Sequence, residues 1–340
     1  MSMTPRGAGA RFVIAGLVTG LCAAGIVSVS AQLAPLKLVS TAWPPFTNPA
    51  GQPRFALDLV ETALQRTGIT TQTTIVAPVA FTAALLSGEY DGSAAAWKDA
   101  ERERVLLFSQ AYLENRLVLV GRSGTDVSAR TLAALSGKRV AIVEGYAYGD
   151  ELEKSGPVFV RSRSDEDSVT RLLTGEVDYT LIDDLVVQNI VETYPKESSA
   201  RLQIGTTPLL TRPLYFAVRR TRADAADLIA RFNAQLRGMI TDRTYHRLLH
   251  VDWILADVTG DGVPENVPVS DRAGPTEPRR VYSLYTAPET TKPPGPYKTG
   301  FYMGGSVYND WASVPENYKE VNPDFPDPRR STGSIFTFRW

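Results

Sequence analysis

The sequence predicts an α/β chain built as two similar lobes, and three observations carry that reading. One seven-residue phrase occurs twice, as Leu85-Leu86-Ser87-Gly88-Glu89-Tyr90-Asp91 and as Leu172-Leu173-Thr174-Gly175-Glu176-Val177-Asp178, 87 positions apart. Strand-length apolar runs alternate with helix-period runs, the pattern of a largely parallel sheet. The 340 residues also leave room for two ordinary domains of about 100–200 residues each. A spacing of 87 exceeds the roughly 20–50 residues of a solenoid repeat, so the copies mark lobes. In each copy an apolar helix pattern (Phe81, Ala84, Leu85; Val169, Leu172, Leu173) ends at a glycine, which enters the left-handed conformation without steric cost. A cleft between two lobes is the usual seat of a small ligand.

The elements follow in order. Residues 36–41 read as a strand and 55–66 as a helix with Phe55, Leu59 and Ala63 on one face. A strand (73–76), a short helix (81–87) and a strand (91–96) come next, then a strand at 113–121 that leaves the first lobe. A second alternating run starts at 132–137, with strands at 139–143, 179–182 and 202–204 and helices at 148–154 and 165–173. A strand at 214–218 and a helix at 223–240, carrying Leu228, Ile229, Phe232, Leu236 and Met239, return to the first lobe. The expected division is lobe 1 over 32–122 and 212–256, lobe 2 over 123–211, and a C-terminal extension over 257–340. In that extension fall 12 of the 23 prolines, and proline removes a backbone donor. With Tyr282, Tyr285, Tyr297, Tyr302, Tyr308 and Tyr318 spaced irregularly, it reads as an extended tail lying against its own body or a partner.

The N-terminus carries Arg6 and Arg11, an apolar run at 12–29 and Val29-Ser30-Ala31, the pattern of a secretory signal cleaved after Ala31. An uncleaved membrane anchor is the alternative, as the run approaches spanning length, though Gly16, Gly20 and Gly25 weaken it as a permanent helix. Cys22, the single cysteine, would leave with a cleaved signal, so the mature chain has no thiol for a disulfide, a thiolate metal site or catalysis. A net charge of −1 and a pI near 6.2 give no basic field for nucleic acid.

Several motifs stand in one order: Trp43-Pro44-Pro45-Phe46, the first Leu-Leu-Ser-Gly-Glu-Tyr-Asp phrase, Glu101-Arg102-Glu103, Phe108-Ser109-Gln110-Ala111-Tyr112, Leu135-Ser136-Gly137-Lys138-Arg139-Val140 and Gly145-Tyr146-Ala147-Tyr148-Gly149. In this order the chain resembles family 3 of the bacterial extracellular solute-binding proteins, the periplasmic amino-acid-binding type, over roughly 36–249. The resemblance implies a two-lobed type II periplasmic-binding-protein fold with a hinge near 120–123 and 211–214. It also implies closure on an amino acid or related solute for delivery to an ABC transporter permease, without cofactor or catalysis.

The resemblance assigns site residues. Trp43 matches the aromatic that stacks on the ligand, and Phe46 a packing residue of the same loop. Arg102 stands where the family places the arginine of a ligand carboxylate, a task suited to a planar, permanently charged fork. Asp183 resembles the carboxylate that receives the ligand ammonium; as an N-cap of the following helix it would serve structure instead. Tyr146 lies in the second-lobe turn. Ala95, Trp97, Asp99, Ala147 and Arg54 depart from the family pattern, chiefly where hydroxyls are common, and Trp97 is large enough to wall or fill the pocket. The departures point to a ligand less typical than a free amino acid.

Other motifs read as structural. His246 and His250 stand at i and i+4 on a leucine-rich helix, without the glutamate of a metalloprotease pattern. Residues 257–265 space oxygen ligands like a calcium loop, but Pro268 holds the twelfth position, so an Asp-Gly turn is the simpler reading. The strand-like end 334–340 could pair with a sheet edge in this chain or another. Two further functions stay open: docking onto a periplasmic or membrane complex through 275–340, and dehydratase-like chemistry on a small acid using Asp99 or Asp183.

Overall fold

The structure, a computed structural model, describes residues 34–149, 152–198, 200–278, 282–283 and 299–321. The expected leader at 1–31, with Cys22, and the end at 334–340 lie outside the described residues, as do Tyr285 and Tyr297.

The chain opens with β1 (Leu36–Thr41), α1 (Phe55–Gln65), β2 (Thr71–Val76), α2 (Pro78–Ser87) and β3 (Gly92–Ala96). Then come α3 (Ala100–Val105), β4 (Leu106–Phe108), β5 (Leu113–Arg122), β6 (Arg139–Val143), β7 (Val158–Ser162), α4 (Asp165–Leu173) and β8 (Tyr179–Asp183). Helices α5 (Asp184–Thr193) and α6 (Pro195–Ser198) precede β9 (Leu202–Arg219), α7 (Ala225–Thr241), α8 (Thr244–Leu249) and β10 (Trp253–Ala256). The main sheet runs β2-β1-β3-β9-β5-β8-β6-β7, with β4 also on β9.

The pairs of β1 with β2 and β3, and of β6 with β7 and β8, are parallel. Those made by β5 and β9 are antiparallel, so the sheet is mixed where the alternation predicted a largely parallel one. These two strands are the crossings between lobes. The single β9 replaces the two strands expected at 202–204 and 214–218, because Pro208 is accommodated opposite Val118 where the ladder slips register.

The repeated phrase does the same structural work twice. Gly88 and Gly175 take φ +96° and +81° after α2 and α4. Asp91 accepts from the Lys37 N–H at 2.8 Å and Asp178 from the Arg139 N–H at 2.8 Å, fastening each helix end to the first strand of its lobe. An arginine at the far end of a crossing strand completes each fastening. Arg219 donates to the Leu85 and Tyr90 carbonyls at 3.0 and 2.8 Å. Arg122 donates to the Leu172 and Val177 carbonyls at 2.7 and 2.8 Å.

One further expectation is corrected. The helix expected at 148–154 is reduced to a 3₁₀ turn at Leu152–Lys154: Gly149 sits at φ +96°, and the Tyr148 hydroxyl folds back to accept from the Val143 N–H at 3.0 Å. The described part of the proline-rich region lies against its own body as short extended strands. Strands β11 (Glu265–Pro268), β12 (Tyr282–Ser283), β13 (Phe301–Met303) and β14 (Ser306–Tyr308) join β10 in a sheet ordered β12-β10-β11-β13-β14. Phe301, Met303 and Val314 are buried there beside Trp253 and Trp311, so short strands between prolines suffice once aromatics cover them.

His246 is buried and its Nε2–H donates to the Val267 carbonyl at 3.0 Å, tying α8 to this sheet. Burial pushes its pKa down to about 4. His250 is the exposed, left-handed cap of α8. In the acidic loop, Asp257 accepts from the Gly260 and Gly262 N–H groups and Glu265 from the Val258 N–H. Among the described residues no group of three His, Cys, Asp or Glu is placed to hold a metal ion, and no helix is long and apolar enough to cross a membrane.

Candidate functional site

Four of the five expected site residues meet at one small cavity. Trp43 follows β1 in a turn closed by its N–H on the Thr47 carbonyl at 2.7 Å. Trp97 follows β3. Arg102 lies on α3, which starts where the extended Asp99 accepts the Arg102 N–H at 2.7 Å. Tyr146 comes from the turn after β6, on the other lobe. With Thr41, Phe81, Ala95, Ala147 and Leu214 they line a cavity of about 30 Å³. Phe46 is fully buried between Trp43 and Phe55, as a packing residue, with ring centroids 4.4 and 4.9 Å away.

Arg102 is 2% exposed. Its Nη1 donates to the Trp97 carbonyl at 2.9 Å, and its Nη2 to Thr82 Oγ1 at 2.7 Å and to the Gly145 carbonyl at 3.4 Å. Its Nε makes no hydrogen bond, and Asp99 Oδ2 lies 3.7 Å away. Burial lowers the guanidinium pKa, opposed by the charges of Asp99 and Glu101, and the group stays cationic. Thr82 passes the contact on, donating to the Gly145 carbonyl at 3.1 Å. Gly145 is thus where the lobes touch. It sits at φ +84°, and a Cβ there would stand 2.8 Å from the Pro78 carbonyl oxygen. Gly145→Ala is therefore expected to hold the lobes apart, giving a larger radius of gyration by small-angle X-ray scattering than wild type; an unchanged radius would count against this contact.

The aromatic rings come from both lobes. Trp97 lies edge-to-face with Trp43, Tyr146 and Tyr148, at centroid distances of 5.6, 5.5 and 5.4 Å. The Arg212 guanidinium stands 5.9 Å over its ring, within cation–π range. Behind Tyr146 lies Asp165, 6% exposed, whose Oδ2 accepts from the Tyr146 hydroxyl at 3.5 Å. Burial, helped by Glu166, pushes its pKa up to about 7.

Asp183 is not among the lining residues. It ends β8 and caps α5, taking the Leu185 N–H at 2.8 Å on Oδ1. Its Oδ2 accepts from Asn115 Nδ2 at 3.0 Å and from the Arg116 N–H at 3.1 Å. Burial, then the charge of Asp184, raises its pKa. Asn115 is fully buried and its Oδ1 accepts from the Trp97 indole N–H at 2.7 Å. The sequence reading missed Asn115, Thr82, Asp165 and the Gly145 carbonyl. Each acquires its role from a partner 18 or more positions away, and even the quoted Gly145 turn gives no sign of where its carbonyl points.

A larger hollow of about 440 Å³ opens beside the N-terminal end of α1, bordered by Arg54, Asp58, Asn189, Thr193 and His250. Arg54 there is held by Asp58 and Glu61 at 3.0 and 2.5 Å. The smaller cavity is the better candidate, because it alone combines a buried cation, stacked rings and contributions from two lobes.

Mixed crossings, paired fastenings and a cavity at the lobe contact define a two-lobed type II periplasmic-binding-protein fold. Residues 37–255 match the family model for bacterial extracellular solute-binding proteins, family 3, and the chain belongs to that family. Among solved structures it is similar to a mutant of ArgBP from T. maritima, with 26% identity and a TM-score of 0.53, covering 64% of this chain and 93% of that one. An ancestral arginine-binding protein bound to arginine gives 22% identity and a TM-score of 0.54, with 64% and 98% covered. The GluR0 ligand-binding core in complex with L-glutamate gives 15% and 0.54, with 63% and 96% covered; these last two likenesses speak for the fold alone. No match was found among curated proteins.

Proposed function

We propose that the chain is a non-enzymatic periplasmic receptor that captures an amino acid or related small polar solute between its lobes for an ABC importer. On this reading lobe 1 comprises 32–122 and 212–256, lobe 2 comprises 123–211, residues 1–31 are the export signal, and 257–340 are an appended segment. One observation carries it: a buried, permanently charged Arg102 beside Trp43, at a cavity that Tyr146 closes from the other side. A guanidinium so placed suits a carboxylate, and the likeness to ArgBP from T. maritima makes an amino acid the first class to try. Ligand contacts available only on closure would stabilise the closed state.

Isothermal titration of the mature protein with the common L-amino acids tests this. Arg102→Ala is expected to weaken the best binder by at least about 30-fold, since truncating one partner of a buried charge pair costs roughly 2–5 kcal/mol. Equal affinity in variant and wild type would remove Arg102 from the site. The dehydratase alternative is less well supported, because Asp99 is committed to capping α3 and Asp183 accepts three N–H donors. Docking through 275–340 is also less well supported, because β12–β14 there pair into a sheet with β10 and β11 of the same chain. Loss of a co-purifying partner on deletion of those residues would favour it.

A further inference from the structure

The cavity is crowded by the protein's own side chains, and both charged groups expected to grip a zwitterion are already engaged. At about 30 Å³ it has room for a few water molecules at most, far less than the 440 Å³ of the hollow beside α1. The indole of Trp97 takes up the remaining space, reaching rings of both lobes. Its N–H leads through Asn115 to Asp183, while its backbone carbonyl accepts from Arg102. A carboxylate must be met by a donor, so Nδ2 of Asn115 faces Asp183 and Oδ1 faces the indole. One residue and its amide partner therefore touch the presumed carboxylate clamp at one end and the presumed ammonium acceptor at the other.

We propose that Trp97 with Asn115 is an internal occupant of the ligand seat, which closes the lobes without cargo and which an incoming solute must displace. The inference rests on reading this cavity as the solute seat. Two features fit it. Thr41 Oγ1 and Arg102 Nε are buried beside the indole without hydrogen-bond partners, so the internal occupant satisfies the seat incompletely. The closing contacts on the Gly145 carbonyl come from Thr82 and Arg102, the protein's own side chains, so they need no solute to form. A seat held by its own side chain lowers apparent affinity by the fraction of molecules in which it is vacated.

The test uses the mature full-length protein, wild type and Trp97→Ala, with Trp97→Phe as a variant that keeps a ring but loses the indole N–H. Scattering of ligand-free protein reads closure, and calorimetry with L-arginine and L-glutamine reads binding. Expected are a compact ligand-free wild type, an expanded ligand-free Trp97→Ala that contracts on adding either amino acid, and about tenfold tighter binding by that variant. Trp97→Phe should fall between them and retain the wild-type circular dichroism spectrum, which covers the case in which the alanine variant fails to fold. Ligand-free wild type as expanded as the variants would overturn the proposal, as would tight binding by wild type that Trp97→Ala weakens; the latter would make Trp97 a platform for the ligand and leave the receptor reading standing. Expansion of Trp97→Ala with no binding by any of the three proteins would support the internal occupant and sink the amino-acid reading.

Discussion

Arg219→Ala is expected to lower the melting temperature by roughly 6–12 °C, on the scale of about 2–4 °C per kcal/mol for a body of this size. The guanidinium holds two carbonyls, Leu85 and Tyr90, at 3.0 and 2.8 Å. Hydrogen bonds to a charged group contribute about 1.5–3 kcal/mol each; these two are part-buried, which places the pair at the low end, about 3 kcal/mol together. Arg122→Ala should lose a similar amount, since it makes the same two contacts on Leu172 and Val177. The two fastenings share no partner, so the losses should add to within about 0.5 kcal/mol. Lysine should rescue poorly at 219, where Nε and Nη2 each hold one carbonyl and a single ammonium lacks that fork, and better at 122, where Nη1 alone meets both carbonyls. Calorimetric melting of the single and double variants checks this; shifts within a degree of wild type would show that the carbonyls are satisfied by water instead.

Asp165→Asn is expected to stabilise the protein at neutral pH and to leave it unchanged near pH 4. Burial raises this carboxyl from an ordinary 3.8 to about 7, so the folded state prefers the neutral form. Below the unfolded pKa the group is protonated in both states and costs nothing. Between about pH 4 and 7 the unfolded chain releases the proton first, and the group's cost grows by up to about 1.4 kcal/mol per pH unit, levelling above the folded pKa. The full penalty is on the order of 3–4 kcal/mol, which the neutral amide avoids. Glu114, also pushed up to about 7 by burial, acts in the same sense and remains in the variant. Urea unfolding of wild type and variant from pH 4 to 8 reads the difference; parallel curves would show that Asp165 is not the group responsible.

The sequence made the lobes and most of the site legible where the cause is local. A glycine ending a helix, an aspartate three residues on and an aromatic turn after a strand are short-range signals, and they placed the paired phrases, Trp43 and Arg102. The helix expected at 148–154 failed because Tyr148 bonds back to Val143 while Gly149 turns the chain, a tertiary choice that outweighs a weak apolar pattern. For Asp183 the cap of α5 was legible, and its Oδ1 takes the Leu185 N–H, but the direction of Oδ2 was not. Its carboxylate turns to Asn115, 68 positions away, and only the packing of β5 on β8 brings those two together. The small C-terminal sheet escaped notice because β13 and β14 have three residues each, too few to show an alternation.

The arginine fastenings bear on whether either lobe could exist alone. Arg122 stands just outside the 123–211 stretch, yet it closes the helix end at Leu172. Arg219 reaches Tyr90 across 129 positions of chain. A fragment cut at the lobe boundaries would lose the latch of one half and strand that of the other. Closing the latch at Tyr90 therefore waits on a long loop closure, the kind of distant pairing that slows folding.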